Sequence, residues 1–309
     1  ALKKLNEMKP SDFYKKVFKR AALIFLIGWL LNYFPFFDFN EAGEIVAVKL
    51  SEVRLLGVLQ RIALAYLLAA LVVYWTGEKG AWIVGIASLI FYWPIMYFFG
   101  EAGDPYSLTG NAQIKLDLAV IGEKRMYMGE GLPFDPEGIL STLTSMVNVL
   151  AGFIVGKFIQ KKGNTTGTVQ TLLISGIVLL ALAYAWDLVF PINKKIWTSS
   201  YVLLTLGWDL ILISLLIFVV EVQKVSKWTY FFQAFGRNPL ILYVLSGVVI
   251  SIFSMIPVGE TTFKGWIYAN FFTSWLGPKT ASFLFAISYM LLIWVIGYAM
   301  DKKKIYIKV

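Results

Sequence analysis

Two ionisable side chains lie inside apolar stretches of this sequence, where a charge is costly and is a functional candidate by default. Arg61 follows Gln60 near the start of one stretch, and Asp209 lies near the middle of another. An ion pair between Arg61 and Asp209 would solve both burial problems and pin two helices together without any chemistry. The alternative is that these residues line a binding site. Asn148, in a third stretch, is expected to form an interhelical hydrogen bond.

The 309-residue chain contains no histidine and no cysteine. Thiolate catalysis, disulfides and cysteine metal sites are therefore excluded for these residues, and the commonest general base and metal ligand is absent. We expect no metal centre. Acid–base chemistry by this chain alone would have to use carboxylates, lysines, tyrosines or hydroxyl groups.

A further group of candidates lies between two apolar stretches, at 187–201. Asn193, Lys194 and Ser200 supply donors for a polar substrate, and Trp197 could stack on a sugar ring. An interfacial aromatic anchor with a snorkelling lysine explains the same residues without any substrate.

Basic residues at the opposite ends of the apolar stretches suggest an anion site. Arg237 and Asn238 precede Pro239 at the start of a stretch, and a helix N-terminus beside an arginine suits a phosphate. Lys19 and Arg20 either contribute to the same site or only follow the positive-inside rule.

The composition indicates a membrane protein. Hydrophobic residues make up 58% of the chain and charged residues 15%, with a mean hydropathy of +0.70, whereas soluble domains are about 25% charged. Open sheet edges cannot face lipid, so all the spans are expected to be helices. We predict an all-α, polytopic transmembrane helix bundle forming a single domain over 1–309, with about eight spans near 21–37, 55–75, 81–99, 138–159, 169–188, 198–221, 239–256 and 281–300.

The distribution of lysine and arginine predicts the orientation. Both termini carry basic residues, so we place both in the cytoplasm, and the net charge of +9 serves topology rather than a nucleic-acid partner. The largest outer loop, 100–137, ends in Asp135 and Pro136, which fit the N-cap and first turn of a helix. This loop is either the mouth of an outward-opening binding site or a structural lid.

Four stretches of the chain, about a third of it, resemble one known family. They are LLGVLQRIALAYLLAALVV (55–73), FDPEGILSTLTSMVNVLAGFIVGKFI (134–159), FPINKKIWTSSYVLLTLGWDLILISLLIFVVE (190–221) and FGRNPLILYVLSGVV (235–249). In these runs the sequence resembles the heparan-α-glucosaminide N-acetyltransferase family of multi-pass membrane acyltransferases, in its bacterial form. The DPEG and PxNKxxWxxSY runs are the specific ones.

The resemblance implies a membrane acyltransferase that moves an acetyl group from cytoplasmic acetyl-CoA to an amino sugar on the outer side. It implies a bacterial inner membrane location and allows a homodimer. Carried over by residue, Asp135 and Glu137 would organise the outer mouth. The resemblance would place Gln60 and Arg61 in the bundle interior, and Arg237 and Asn238 toward the CoA end. It would place Asn193, Lys194, Trp197 and Ser200 at the acetyl or sugar end. Arg20 and Lys19 are assigned to the CoA end only by their position at the inner end of the first span.

The sequence departs from the family pattern in one respect. The family's catalytic histidine lies between two N-terminal spans that have no counterpart here, and a bacterial relative would have about ten spans. We therefore expect that the sequence is incomplete at its N-terminus, and no catalytic residue is assigned. The alternative is a natural or engineered fragment that is inactive alone. The rival hypotheses are a small-sugar or amino-sugar permease, which shares the polar residues at membrane depth, and a purely structural membrane subunit.

Overall fold

The computed structural model describes residues 8–39 and 43–307. The predicted all-α class is confirmed, because strands occur there only as two short antiparallel hairpins, β1 (Phe37–Phe39) with β2 (Ile45–Ala47) and β3 (Pro257–Val258) with β4 (Thr261–Thr262). The helices are α1 (Pro10–Tyr33), α2 (Val58–Phe99), α3 (Ala112–Val120), α4 (Thr142–Lys162), α5 (Thr166–Asp187), α6 (Ser199–Leu216), α7 (Tyr230–Arg237), α8 (Pro239–Met255), α9 (Phe263–Tyr268) and α10 (Pro278–Lys302).

Each of the eight predicted spans overlaps a helix of this fold, although 21–37 extends past the end of α1, and 55–75 and 138–159 begin before α2 and α4. In the described chain, five helical segments are long and apolar enough to cross a bilayer: α2, α4, α5, α10 and α6 with its π-helical extension to Val222. The segment 227–237 with α8 makes a sixth if this pair, bent by 75°, counts as one span. The chain is thus a polytopic helical membrane protein, and its apolar helices fit a lipid bilayer.

Helix α2 covers two of the predicted spans. Its 42 residues are interrupted by a single non-helical residue, Gly77, at φ 65°. Glycine adopts this left-handed conformation without the steric cost of a Cβ. The two arms of α2 correspond to the predicted spans 55–75 and 81–99, and the short connection predicted at 76–80 is reduced to this one residue.

The described chain groups into two compact units. The first comprises residues 8–33 and 48–225, in which α2 packs against α1 and α4, and α5 packs against α6. The predicted loop 100–137 is part of this unit and is folded: α3 and a 3₁₀ turn at Glu123–Arg125 lie within it. Buried residues of this segment share one apolar cluster with α2 and the 190–196 loop, namely Ala112, Ile114, Met126, Phe134, Tyr92, Met96, Phe190 and Ile196.

The second unit comprises residues 34–39, 43–47 and 226–307. Within it, Asp301 of α10 accepts hydrogen bonds from Arg237, Tyr230 and Tyr306. Helices α7 and α8 meet at Asn238, the point of the 75° bend. A single organisation over 1–309 as one domain stays a prediction.

Helices α5 and α6 approach closely at two glycines. A Cβ on Gly176 would lie 2.7 Å from the Gly207 carbonyl oxygen, and a Cβ on Gly207 would lie 3.0 Å from the Gly176 carbonyl oxygen. Small residues at such crossings allow helix backbones to pack tightly in membranes.

We predict that Gly176→Ala or Gly207→Ala will separate α5 from α6 and destabilise the protein by about 1–3 kcal/mol, the usual cost of overpacking. Unfolding by SDS titration of the detergent-solubilised protein will measure the change. Gly156→Ala on α4 is the matched control, since its Cβ would meet open space, and it should leave the midpoint unchanged or raise it slightly. Equal effects of all three substitutions would contradict the close crossing.

Candidate functional site

The candidate site centres on Arg61, one turn into α2. The residue is only 6% exposed, and within the described chain it forms no ion pair. Its Nη2 donates to the Pro136 carbonyl oxygen and to Ser141 Oγ, and its Cζ lies 4.7 Å from the ring centroid of Trp197. Its Nε is buried with no acceptor. A buried cation is thus held by oriented dipoles and an aromatic face rather than by a counter-ion.

Trp197 is held against Arg61 in a strained backbone conformation. Its φ of 48° is rare for a non-glycine residue and costs about 1–3 kcal/mol. The Thr144 hydroxyl donates to its carbonyl oxygen at 2.7 Å, and its own Nε1 donates to Asn148 Oδ1 at 3.2 Å. Side-chain bonds from α4 therefore fix the indole at the end of the bundle where α2 and α6 begin.

The polar contacts continue from Trp197 between α4 and α6. Asn148 Nδ2 donates to Thr205 Oγ1 at 3.3 Å, which confirms the interhelical hydrogen bond predicted for Asn148. The Trp197 ring also meets Tyr201 edge-on at 5.1 Å. The indole thus links the Arg61 guanidinium to polar groups deeper in the bundle.

Residues 135–141 form an irregular turn, and the predicted helix start there is wrong. Helix α4 begins at Thr142, and Asp135 caps no helix. The turn's backbone is instead bound from outside, because Gln113 Nε2 donates to the Asp135 carbonyl oxygen at 2.8 Å and the Ile139 N–H donates to Asp117 Oδ1 at 2.9 Å. With Arg61 holding Pro136 as well, the backbone groups that would begin a helix already have partners.

Glycine is required at position 138 of this turn. A Cβ there would lie 2.0 Å from Asp117 Oδ2 and 2.7 Å from the side chain of Gln113. No side chain fits between the turn and α3. The glycine of the DPEG run is therefore a packing requirement.

Arg54 pairs with both acidic residues of the turn. Its guanidinium donates to Asp135 through Nε at 3.1 Å and Nη2 at 2.7 Å, and Nη2 also reaches Glu137 at 2.7 Å. It also lies over the Tyr127 ring at 4.5 Å. Burial by itself would lower the pKa of Arg54, but the hydrogen bonds and charges of Asp135 and Glu137 outweigh it and raise the pKa. These ion pairs anchor the turn in addition to its contacts with α3.

Asp117 is a fully buried carboxyl group facing the same turn. Its Oδ2 has no hydrogen-bond donor among the described residues. Burial raises the pKa of Asp117 to about 7, with the Asp135 charge adding to the increase and the Ile139 N–H and Arg61 opposing it. A carboxyl group near neutrality is the kind of group that active sites use for proton transfer. We call Arg54, Arg61, Gln113, Asp117, Trp197 and the 135–141 turn the Arg61 cluster.

Gln60 is buried beside the Arg61 cluster but faces α1. A Cβ on Gly28 would lie 2.6 Å from its Oε1, and its Nε2 has no acceptor in the described chain. The tight contact with Gly28 indicates a packing role between α1 and α2.

The predicted residues of the 187–201 run separate into two groups. Trp197 faces Arg61, whereas Asn193 Oδ1 accepts from the Lys195 N–H and Ser200 Oγ donates to the Phe190 carbonyl oxygen. Lys194 is exposed. Asn193 and Ser200 therefore shape the loop that presents Trp197.

The predicted Arg61–Asp209 ion pair is wrong. Asp209 is exposed on α6, three turns beyond Trp197, and Arg61 is engaged by the turn and the indole. Arg61 lies close to the start of α2, so its guanidinium reaches the connecting segments rather than the middle of α6.

The residues predicted for the CoA end lie in different units. Lys19 and Arg20 are exposed on α1, with Arg20 over the Tyr66 ring at 5.0 Å. In the second unit Arg237 pairs with Asp301, and fully buried Asn238 bonds the Ile305 carbonyl oxygen and the Ile307 N–H at 2.9 Å each. Both side chains of the Arg237–Asn238 run have partners in the C-terminal segment. Their binding of a cofactor stays a prediction.

Arg54, Gln113 and Asp117 are the site residues that the sequence did not reveal. All three lie in segments that hydropathy marks as loops. Gln113 and Asp117 are four residues apart after Asn111, which caps α3 by accepting from the Ile114 N–H. The signal in the sequence is an N-cap residue followed by two polar residues four positions apart on one helix face. It identifies Gln113 and Asp117.

A cavity of about 460 Å³ opens beside Arg54 in the first unit. Its lining includes Glu52, Glu123, Lys124 and Met128. Leu55, next to Arg54, donates its N–H to the Arg125 carbonyl oxygen. This bond joins the segment that carries Glu52 and Arg54 to the segment that carries Glu123 and Lys124. No group of three or more carboxylates in the described chain could hold a metal ion.

The fold and the Arg61 cluster define a polytopic helical membrane protein with a buried, cationic polar site at one end of its first unit. The chain is similar to heparan-alpha-glucosaminide N-acetyltransferase of Mus musculus, with 24% identity across 74% of the chain and 42% of the relative. It is also similar to the Homo sapiens protein of that name, with 27% identity across 47% of the chain and 24% of the relative.

These two similarities confirm the resemblance seen in the sequence motifs. The chain spans less than half the length of the curated relatives it matches. No protein-family model matches the chain.

We predict that Arg54→Met will destabilise the protein strongly, because it leaves Asp135 buried without its cation. The loss should fall a little below the about 3–5 kcal/mol of a fully buried pair, since 24% of the Arg54 side chain is exposed. SDS titration will again measure it. Lys195→Met breaks the more exposed pair with Glu130 and should cost less than about 1 kcal/mol. Similar costs for the two variants would show that the Arg54 pairs do not hold the turn.

Proposed function

We propose that this chain forms the body of a membrane acyltransferase that moves an acetyl group from acetyl-CoA to the amine of an amino sugar. The proposal rests on the similarity to two proteins named as N-acetyltransferases and on one structural observation. That observation is the buried Arg61 guanidinium, which has no ion-pair partner in the described chain and presents an unused Nε–H.

The chemistry of acetyl transfer needs such a group. The amine nitrogen bonds to the thioester carbon, negative charge develops on the carbonyl oxygen, and the carbon–sulfur bond then breaks. The amine nitrogen loses a proton and the CoA thiolate gains one. A guanidinium held rigidly in a water-poor site stabilises the charge on the oxygen without reorganising. Arg61 is fixed by the turn, Ser141 and Trp197 before any substrate arrives.

Trp197 has a matching role at the acceptor end. Its indole face packs on Arg61 and its Nε1 is committed to Asn148, so the ring is rigid. Rigid indoles bind sugar rings through their apolar faces. The cavity lined by Glu52, Glu123, Lys124 and Met128 carries charged groups of both signs, which suit a polar sugar that approaches from solution.

The chain contains no histidine, so we propose that a carboxylate accepts the proton of the amine. We propose that Arg237 and Asn238 act at the CoA end, as expected from the resemblance, and that Lys19 and Arg20 act there because of their position at the inner end of the first predicted span. We further propose a bacterial inner membrane location with cytoplasmic termini and an acceptor amine on the outer side.

We predict that Arg61→Gln will lower kcat for acetyl transfer by about 10²–10³-fold, the usual loss when one oxyanion donor is removed. The assay follows labelled acetyl groups from acetyl-CoA to glucosamine in membranes containing the protein. Arg61→Lys keeps the charge and should recover part of the rate. Lys195→Met removes a cation from the same end of the unit and should transfer at the unmodified rate.

Two results would contradict the proposal. A protein that neither binds acetyl-CoA nor acetylates glucosamine, but equilibrates labelled glucosamine across vesicles, is a permease. A transferase whose rate does not change in Arg61→Gln uses a different site.

A further inference from the structure

Helix α3 presents two buried acceptors that lack donors. Gln113 Oε1 and Asp117 Oδ2 are on side chains with no exposed surface, and neither atom has a hydrogen-bond partner among the described residues. The two residues are one helical turn apart and therefore share a face of α3. A buried acceptor without a donor costs about 1–3 kcal/mol, so a pair of them on one face needs an explanation.

The two side chains converge on the same point of the 135–141 turn. A Cβ built on Gly138 would touch both Asp117 Oδ2 and the Gln113 amide carbon. The remaining atoms of both side chains hold the turn itself, because Gln113 Nε2 binds the Asp135 carbonyl oxygen and Asp117 Oδ1 binds the Ile139 N–H. Both side chains that carry an unused acceptor therefore pack against the turn at Gly138.

We infer that Asp117 carries a proton on Oδ2 and donates it to Gln113 Oε1, which makes the pair a protonation-dependent clamp on the 135–141 turn. One proton converts Asp117 Oδ2 from an orphaned acceptor into a donor and gives Gln113 Oε1 the donor that it lacks. No additional group is needed, because a protonated carboxylic acid donates one hydrogen bond and an amide oxygen accepts it.

The surroundings of Asp117 agree with a bound proton. Burial raises its pKa to about 7. The titratable and charged groups that interact with it are Arg61 and Tyr92 on α2 and Asp135 in the turn. Asp135 is itself occupied by Arg54, and Arg61 is directed at Pro136 and Ser141. Neither cation therefore bonds directly to Asp117 to hold it ionised.

Loss of the proton would release the turn. An ionised Asp117 places a negative charge beside Gln113 Oε1 and near Asp135, with no donor to satisfy it. Arg61 donates both of its hydrogen bonds to this turn. Its guanidinium would therefore lose its fixed position when the turn is released. Asp117 is thus a positioning residue for Arg61, and its effect on acetyl transfer rests on the proposed function.

The sign of the pH effect follows from the raised pKa. The folded protein holds this proton up to about pH 7, whereas an unfolded chain releases it near about pH 4. The contribution to stability is complete at about pH 4 and is lost as the pH rises to about 7 and above. Asp117→Asn places a permanent amide donor on the side chain and should remove this dependence.

Infrared difference spectroscopy of the purified protein tests the inference without any assay of activity. We expect a carbonyl stretch of a protonated carboxylic acid that titrates away near neutral pH and is absent from Asp117→Asn. Asp104→Asn, at an exposed aspartate, should keep the band. Gln113→Leu should shift the band by removing its acceptor, which provides a second test if Asp117→Asn does not fold. A band that survives in Asp117→Asn, or no band at any pH, would overturn the inference.

Stability and rate measurements complete the test. Between about pH 6 and about pH 8 the protonated fraction of a group with a pKa of about 7 falls roughly tenfold, and the transfer rate should fall with it. Asp117→Asn should be more stable than the unmodified protein at about pH 8, and its transfer rate should depend less on pH. An inactive Asp117→Asn that has normal stability would instead make Asp117 the proton acceptor. Failure of transfer in every variant, with the infrared result intact, would reject only the proposed function.

Discussion

The buried charge of Arg61 is the constraint on which the architecture around it depends. A guanidinium at this depth cannot be left to water, and no carboxylate of the described chain pairs with it. A backbone carbonyl oxygen, a hydroxyl group and an indole face stabilise it instead. The carbonyl is available only because residues 135–141 do not continue into α4 as a helix. Arg54, Gln113 and Asp117 hold those residues in this conformation from two sides.

This way of stabilising a cation suits chemistry in which negative charge appears briefly. A carboxylate partner would neutralise Arg61 permanently and compete with a developing oxyanion. Dipoles and a π-face hold the guanidinium in place and leave most of its charge available. The strained φ of Trp197 belongs to the same arrangement, because the indole contacts Arg61 in this backbone conformation. Strain of this kind persists where the surrounding bonds over-determine it, as Thr144 and Asn148 do here.

Sequence reasoning recovered the elements but only part of the site. Hydropathy predicted apolar segments that overlap helices, because long apolar runs in lipid have no alternative to helix. Burial cost singled out Arg61, and the motif runs singled out Asp135, Glu137 and Trp197, which the structure places around the 135–141 turn. It could not find the partners of Arg61, since these lie 75 to 136 positions away in segments without a periodic pattern. Capping rules placed a helix start at Asp135 because they count local bonds, whereas tertiary contacts had already taken that backbone.

The structure also explains what the two specific motif runs encode. In DPEG, Asp135 and Glu137 bind Arg54, and Gly138 makes room for Asp117 and Gln113. In the run after Phe190, Asn193 and Ser200 shape a loop whose one inward-facing ring is Trp197. Most residues in these motifs therefore contact neither Arg61 nor the space beside it. A relative that shares the runs has the means to position an arginine and an indole. Similarity in these motifs therefore supports a common site geometry more directly than it supports a common substrate.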